Sequence, residues 1–195
     1  MKTDIILAGV GGQGILSIAA VIGTAAIESG LFLKQSEVHG MSQRGGAVQS
    51  HLRISDLPVL SDLIPEGMCD MILAVEPMES LRYLPFLCEE GWLVTNSEPF
   101  INIPDYPDRQ DLMKEIKTIK NHRIVDAAGI ASKLGSQKVS NIVMLGAASD
   151  KLGLPPGSLE KAIHMIFGKK GEEVVKLNIS ALEAGREATG NRRND

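Results

Sequence analysis

Two stretches carry residues whose types and spacing fit the binding of a charged group. In Gly9-Val-Gly11-Gly12-Gln13-Gly14, the glycines at 9, 11 and 14 follow the spacing G-x-G-x-x-G. In that pattern one glycine turns the chain, a second lets backbone approach a bound group, and a third packs helix on strand. Backbone N–H groups after such a turn point at one spot, where the helix dipole favours an anion such as a phosphate. The second stretch, Glu37-Val-His39-Gly40-Met41-Ser42-Gln43-Arg44-Gly45-Gly46, is polar and rich in glycine. Arg44 can fork onto a carboxylate or phosphate, Ser42 and Gln43 can hydrogen-bond, and His39 titrates near neutral pH. Gly45 and Gly46 permit backbone conformations that other residues resist. Taken singly, each feature has a plainer use: a turn that only packs, an arginine in a surface ion pair, a histidine satisfied by one hydrogen bond. Together they point to a ligand.

A complete catalytic set is missing. The sequence holds no G-x-S-x-G elbow, no Walker A loop, no H-E-x-x-H and no EF-hand loop. Glu89-Glu90 and Glu172-Glu173 are neighbours that diverge on a helix, so they read as solvated faces. Met41, Met68, Met71, Met78 and Met144 scatter without a stripe and read as gap-fillers in a core. Cys69 and Cys88 lie far apart with no C-x-x-C, so they cannot build a zinc site or an iron–sulfur cluster by themselves and read as buried small hydrophobes. Either the chain binds without reacting, or it shares a reaction with another subunit.

Composition bounds the setting. A length of 195 residues with 44% apolar residues suits one domain with a real core. A net charge of -4 and the absence of a Lys/Arg cluster before the tail argue against a nucleic-acid surface. Met1 to Asp4 leads directly into an apolar strand without a signal-peptide pattern, which points to the cytoplasm. The richest apolar segment, Ile15 to Ile27, is broken by Ser17, Gly23 and Thr24, so no membrane span is expected.

The elements that must position the two stretches follow from periodicity. The run from Ile5 reads as a strand ending in the glycine turn, and Ile15, Leu16, Ala19, Ile22, Ala26 and Ile27 recur at helical steps up to Gly30. Leu31 to Gln35 reads as a second strand. Glu37, at the expected distance of ~20 residues past the glycines, stands where a NAD-binding unit holds the ribose; the polar stretch after it reads as a loop, unlike the helix such a unit would supply. Ala47 to Ile54 alternates as a third strand, with Val48, Ser50, Leu52 and Ile54 on one face and Gln49, His51 and Arg53 on a wetter one. Cys69 to Val75 reads as a strand covered on both faces, Pro77 opens a helix to about Cys88, and Trp92 to Asn96 makes a further strand. Ser97 to Asp111, with Pro99, Pro104 and Pro107, is loop material. Beyond it come a helix over Asp111 to Lys120, a short strand Arg123 to Asp126, and helices Ala127 to Leu134 and Asn141 to Ala147. Two more follow, Leu159 to Phe167 capped by Ser158, and Glu172 to Ala188 with Val175, Ile179 and Leu182 as its apolar line. The fold class is α/β: a Rossmann-like, mostly parallel sheet flanked by helices, with a helical C-terminal third. One domain spans 1–188, and 189–195 is a polar tail. In a parallel sheet the second stretch shares the carboxyl edge with the glycine turn, where ligands bind.

The two motifs together resemble the gamma-type domain of the 2-oxoacid:ferredoxin oxidoreductases. That family opens with a G-x-G-G-Q-G turn and carries a Q-R-G-G-like or A-R-G-G-like loop before its third strand, here Gly9 to Gly14 and Gln43-Arg44-Gly45-Gly46. Asn141 to Ala147 is similar to its N-x-x-x-L-G-A segment, so the likeness covers most of the chain. The form of Glu37 to Gly46 resembles the arylpyruvate (indolepyruvate) branch, where the pyruvate and 2-oxoglutarate branches tend to Y-G-P-x-x-R-G-G.

The resemblance implies a small subunit, inactive alone, of an enzyme that oxidatively decarboxylates an arylpyruvate with coenzyme A, giving an aryl-acetyl-CoA, carbon dioxide and reduced ferredoxin. It also implies that thiamine diphosphate, its Mg ion and the 4Fe-4S clusters belong to a larger alpha subunit, with coenzyme A as a possible shared ligand. No G-D-G…N pattern for the diphosphate occurs here. Gly9, Gly11, Gly12, Gln13, Gly14, Glu37, His39, Met41, Ser42, Gln43, Arg44, Gly45 and Gly46 would then face the alpha subunit and help bind coenzyme A or substrate, with Arg44 on an anionic group. Three alternatives stand: a gamma subunit of the pyruvate or 2-oxoglutarate branch, a NAD- or flavin-linked enzyme with Glu37 on the ribose, and a non-catalytic structural subunit.

Overall fold

The computed structural model describes residues 1–39 and 45–190. Its six-stranded sheet contains β1 (Lys2–Val10), β2 (Phe32–His39), β3 (Ala47–Ser55), β4 (Cys69–Ala74), β5 (Leu87–Asn96) and β6 (His122–Val125), in the order β2-β3-β1-β4-β5-β6. β1, β4, β5 and β6 pair in parallel, while β3 runs antiparallel to both β1 and β2. β2 therefore points the same way as β1, with β3 between them. Helices α1 (Ile15–Glu28), α2 (Pro77–Arg82), α3 (Arg109–Thr118), α4 (Ala127–Lys133), α5 (Ser140–Ala148), α6 (Ser158–Phe167) and α7 (Glu172–Ala188) cover the sheet. The expected α/β class and helical C-terminal third are present.

Burial explains why the central strands read as unbroken apolar runs. Ile5 and Leu7 of β1, with Met71 and Leu73 of β4, face the core shared with α1, α4, α5, α6 and α7. Ile6, Ala8, Ile72 and Ala74 face the opposite core, with Tyr83 and with Ile116 of α3. A strand covered on both faces needs no polar alternation. Each such fully buried aliphatic side chain contributes about 1.5–3 kcal/mol. On the first face α5 and α7 cross at glycines: a Cβ on Gly146 would stand 2.1 Å from the Leu182 carbonyl oxygen, and one on Gly185 2.0 Å from that of Val143.

Several expectations are corrected. Glu37 to His39 belong to β2, not to a loop, because β3 returns alongside and pairs them with Ser50, Gln49 and Val48. The helix from Pro77 stops at Arg82; Pro85, which cannot continue a helix, sits in a short 3-10 turn, and β5 begins at Leu87. Glu89 and Glu90 thus lie on a strand, both exposed. Position 157, a glycine at φ 78, caps α6, while the Ser158 hydroxyl donates to the Pro155 carbonyl at 2.7 Å. His51 is not wet: it is 5% exposed. Met68 is exposed, and Cys88 is only half-buried.

Candidate functional site

β1 hands the chain to α1 on one face of the sheet, and β4 hands it to α2 on the other. The crevice between adjacent strands whose connections leave on opposite faces is where open α/β sheets bind ligands. The glycine turn fills the mouth of that crevice. A Cβ on Gly9 would sit 2.4 Å from Val75 Cγ2 and 2.9 Å from Ile15 Cδ1, so this glycine serves close packing. The turn itself needs the left-handed backbone at Gly12 (φ 100) and Gly14 (φ 82). Gly9 thus takes the packing role and Gly12 and Gly14 the turn. Gln13 closes the loop on itself, its Oε1 accepting the Val10 N–H at 2.8 Å. α1 has no side-chain cap, and the N–H groups of Gly12, Gly14, Ile15 and Leu16 have no partner among the described residues. An anion suits such a cluster of donors.

The end of the second stretch is tied to this turn by backbone. Gly11 N–H donates to the Gly46 carbonyl at 2.8 Å, and Gly45 N–H to the Gly11 carbonyl at 3.5 Å. Gly45 and Gly46, the described end of the second motif, therefore meet the glycine turn at one rim. Gly40, Met41, Ser42, Gln43 and Arg44 lie outside the described residues, and His39 closes β2 opposite Val48. Glu37, half-buried opposite Ser50, is separated from β1 by β3. That puts its strand two inter-strand spacings, roughly 10 Å, from β1, twice the offset of a NAD-binding unit.

Three polar residues at this edge were not among the site residues expected from the sequence, although Asn141 opens the N-x-x-x-L-G-A segment. Asn141 Nδ2 donates to the Gly14 carbonyl at 3.0 Å, joining the start of α5 to the turn. Asn96 at the end of β5 accepts the Ala127 N–H at 3.2 Å and donates to the Glu98 carbonyl at 3.3 Å. Glu76, fully buried after β4, accepts from the N–H of Glu79 at 2.8 Å and of Phe100 at 3.2 Å, and from the Tyr106 hydroxyl. Burial and this bond to Glu76 push the Tyr106 hydroxyl pKa up, so it stays a donor. The one available signal was the acid just before Pro77, a helix-capping position.

A cleft of about 70 Å³ lies among Gln13, Val75, Asn96, Ala127, Ser140 and Met144. It is far too small for thiamine diphosphate. No group of three or more His, Cys, Asp or Glu is placed to hold a metal among the described residues. A 4Fe-4S cluster needs four thiolates, whereas this sequence has two cysteines, and burial pushes the Cys69 thiol pKa up to about 12. Thiamine diphosphate does not fit this cleft, and a cluster does not fit these two thiols. No described helix is long and apolar enough to cross a membrane.

Residues 4–188 match the family described as pyruvate ferredoxin/flavodoxin oxidoreductase. A relative from Archaeoglobus fulgidus, named indolepyruvate oxidoreductase subunit IorB, is 37% identical over 194 residues, covering 95% of this chain and 94% of its own. The keto/oxoacid ferredoxin oxidoreductase gamma subunit of Geobacter sulfurreducens superposes with a TM-score of 0.67 at 28% identity, over 96% of this chain and 98% of that one. The fold also recurs, with a TM-score of 0.76 at 21% identity, in the 2-oxoglutarate:ferredoxin oxidoreductase of Magnetococcus marinus, solved with 2-oxoglutarate, coenzyme A and succinyl-CoA; all of this chain corresponds to 32% of that longer one. The chain belongs to the pyruvate ferredoxin/flavodoxin oxidoreductase family, as a gamma-type subunit of an oxidoreductase complex.

Proposed function

We propose that the chain is the small subunit of an indolepyruvate (arylpyruvate):ferredoxin oxidoreductase. The complex converts an arylpyruvate and coenzyme A into an aryl-acetyl-CoA and carbon dioxide, passing the electrons to ferredoxin. Thiamine diphosphate, held with Mg and the 4Fe-4S clusters by a larger alpha subunit, supplies the decarboxylation chemistry. Residues 1–188 act as one gamma-type domain with a polar tail at 189–195, and the complex works in the cytoplasm. The part of this chain is to hold and orient. The glycine turn, with Gln13 closing it, presents N–H donors, and the stretch from Glu37 to Gly46 adds Arg44 as a forked cation for a phosphate or carboxylate of coenzyme A or substrate.

The observation that carries the binding role is the pair of backbone bonds joining Gly11 to Gly45 and Gly46. They set Gly45 and Gly46, the end of the arginine-bearing stretch, beside unpartnered N–H groups at the sheet's ligand edge. The substrate branch is supported by the IorB relative and by the form of residues 37–46. Turnover of indolepyruvate, pyruvate and 2-oxoglutarate, each with coenzyme A and ferredoxin, tests the reading with the chain alone and with the alpha subunit from the same cell. Activity only in the mixture, with indolepyruvate preferred, is expected. Preference for pyruvate or 2-oxoglutarate would move the chain to another branch, and tight NADH binding by the isolated chain would favour a self-sufficient Rossmann enzyme.

A further inference from the structure

A buried acid with no ion-pair partner within 4 Å among the described residues calls for a function, because burying a carboxylate is costly unless donors surround it. Glu76 has three donors, and two of them, the Phe100 N–H and the Tyr106 hydroxyl, come from one segment, residues 97–108. That segment is a strap across the ligand edge. It is stiffened by Pro99, Pro104 and Pro107 and is fixed at its start by Ser97 N–H donating to the Val125 carbonyl at 2.8 Å. Between the two anchor points, Asn102 Nδ2 donates to the Gly45 carbonyl at 2.7 Å. Gly45 in turn pairs with Gly11.

We propose that Glu76 is a positioning residue for anion binding: its buried carboxylate pins the strap, and the strap, through Asn102, fixes Gly45 and Gly46 beside the glycine turn. This rests on the reading that the glycine turn and the stretch ending at Gly46 hold an anionic group of coenzyme A. Glu76 itself touches no ligand. Oε1 takes both strap donors and Oε2 takes the Glu79 N–H, so glutamine could keep the strap through its one oxygen, whereas alanine accepts none of the three and releases both anchors.

The test uses the reconstituted complex carrying Glu76→Ala, Asn102→Ala, both together, or Arg44→Ala. Asn102 is half-exposed, so its variant remains informative if the buried one fails to assemble. Each single strap variant is expected to raise KM for coenzyme A by about tenfold, the size of one lost hydrogen bond, with kcat at saturation changed less than about twofold. The double variant is expected to match the worse single one, because both cut the same chain of contacts. Hydrogen exchange at the amides of 45–47 should rise in both single variants. Unchanged exchange in Glu76→Ala, additive KM effects, or a fall in kcat at constant KM overturns the positioning role. Raised exchange with KM for coenzyme A unchanged in the strap variants also overturns it, and if Arg44→Ala is then equally silent, the binding reading has failed with it.

Discussion

The side-chain amide of Asn141 donates to the carbonyl of Gly14 at 3.0 Å, across 127 residues of sequence. Gly14 is held at φ 82, and a Cβ there would stand 2.5 Å from the same amide nitrogen. Gly14→Ala should therefore destabilise the chain by about 1–2 kcal/mol for the left-handed backbone and by a further ~1–3 kcal/mol for the clash. Asn141→Ala removes the clash along with the bond, so in urea titrations Gly14→Ala should cost less on that background than in the wild type. Equal costs on both backgrounds would show that the two residues do not oppose each other.

Glycine inside a helix normally costs stability, so replacement by alanine usually helps. At Gly146 and Gly185 the sign reverses. The atoms an added Cβ would meet are backbone carbonyls of the facing helix, which cannot rotate away. Gly146→Ala should lower stability by about 1–3 kcal/mol or more, read from the denaturation midpoint. A neutral or stabilising result would mean that α5 and α7 slide apart at little cost.

His51 links pH to stability. Its Nδ1 accepts the Ile64 N–H at 3.0 Å, and its ring meets the edge of Phe86 with centroids 5.6 Å apart. Burial first, and the charge of Arg53 second, lower its pKa from the ordinary 6.5, against an opposing pull from Asp62. In the unfolded chain the ring takes a proton sooner than in the native one. The stability of the neutral ring is thus complete above the ordinary value and lost as pH falls through it towards the depressed one. Wild type should lose more stability than His51→Gln between about pH 7.5 and about pH 5.5. Equal losses would remove His51 from the account.

The two thiols should differ in reactivity. Cys69 is fully buried with its pKa pushed up to about 12, whereas Cys88 is half-buried. Iodoacetamide on the native chain should label Cys88 and spare Cys69, since the thiolate is the nucleophile. Labelling of Cys69 at the rate of Cys88 would mean that the N-terminal half of β4 opens readily.

The elements whose signals are local were legible in the sequence. Ile5 to Val10 and Cys69 to Ala74 are apolar runs that both cores bury, and the glycine turn between strand and helix needs no distant partner to be recognised. What sequence spacing missed was set by long-range pairing. Glu37 to His39 look like loop until β3 returns beside them, and that antiparallel return also moves Glu37 away from the ribose position. Glu76, Asn102 and Asn141 act across 24 to 30, 57 and 127 residues, and an isolated polar residue gives no hint of a partner so far away. A shared rim was expected from strand direction, and Gly45 and Gly46, the end of the second stretch, do bond to Gly11.

The most direct measurement of the central claim is KM for coenzyme A in the complex carrying Arg44→Ala. If the arginine of the second stretch clamps an anionic group beside the glycine turn, KM should rise by about tenfold or more, the size of a lost charge-assisted hydrogen bond, while the subunits still assemble. An unchanged KM for both coenzyme A and arylpyruvate in an intact complex would contradict it.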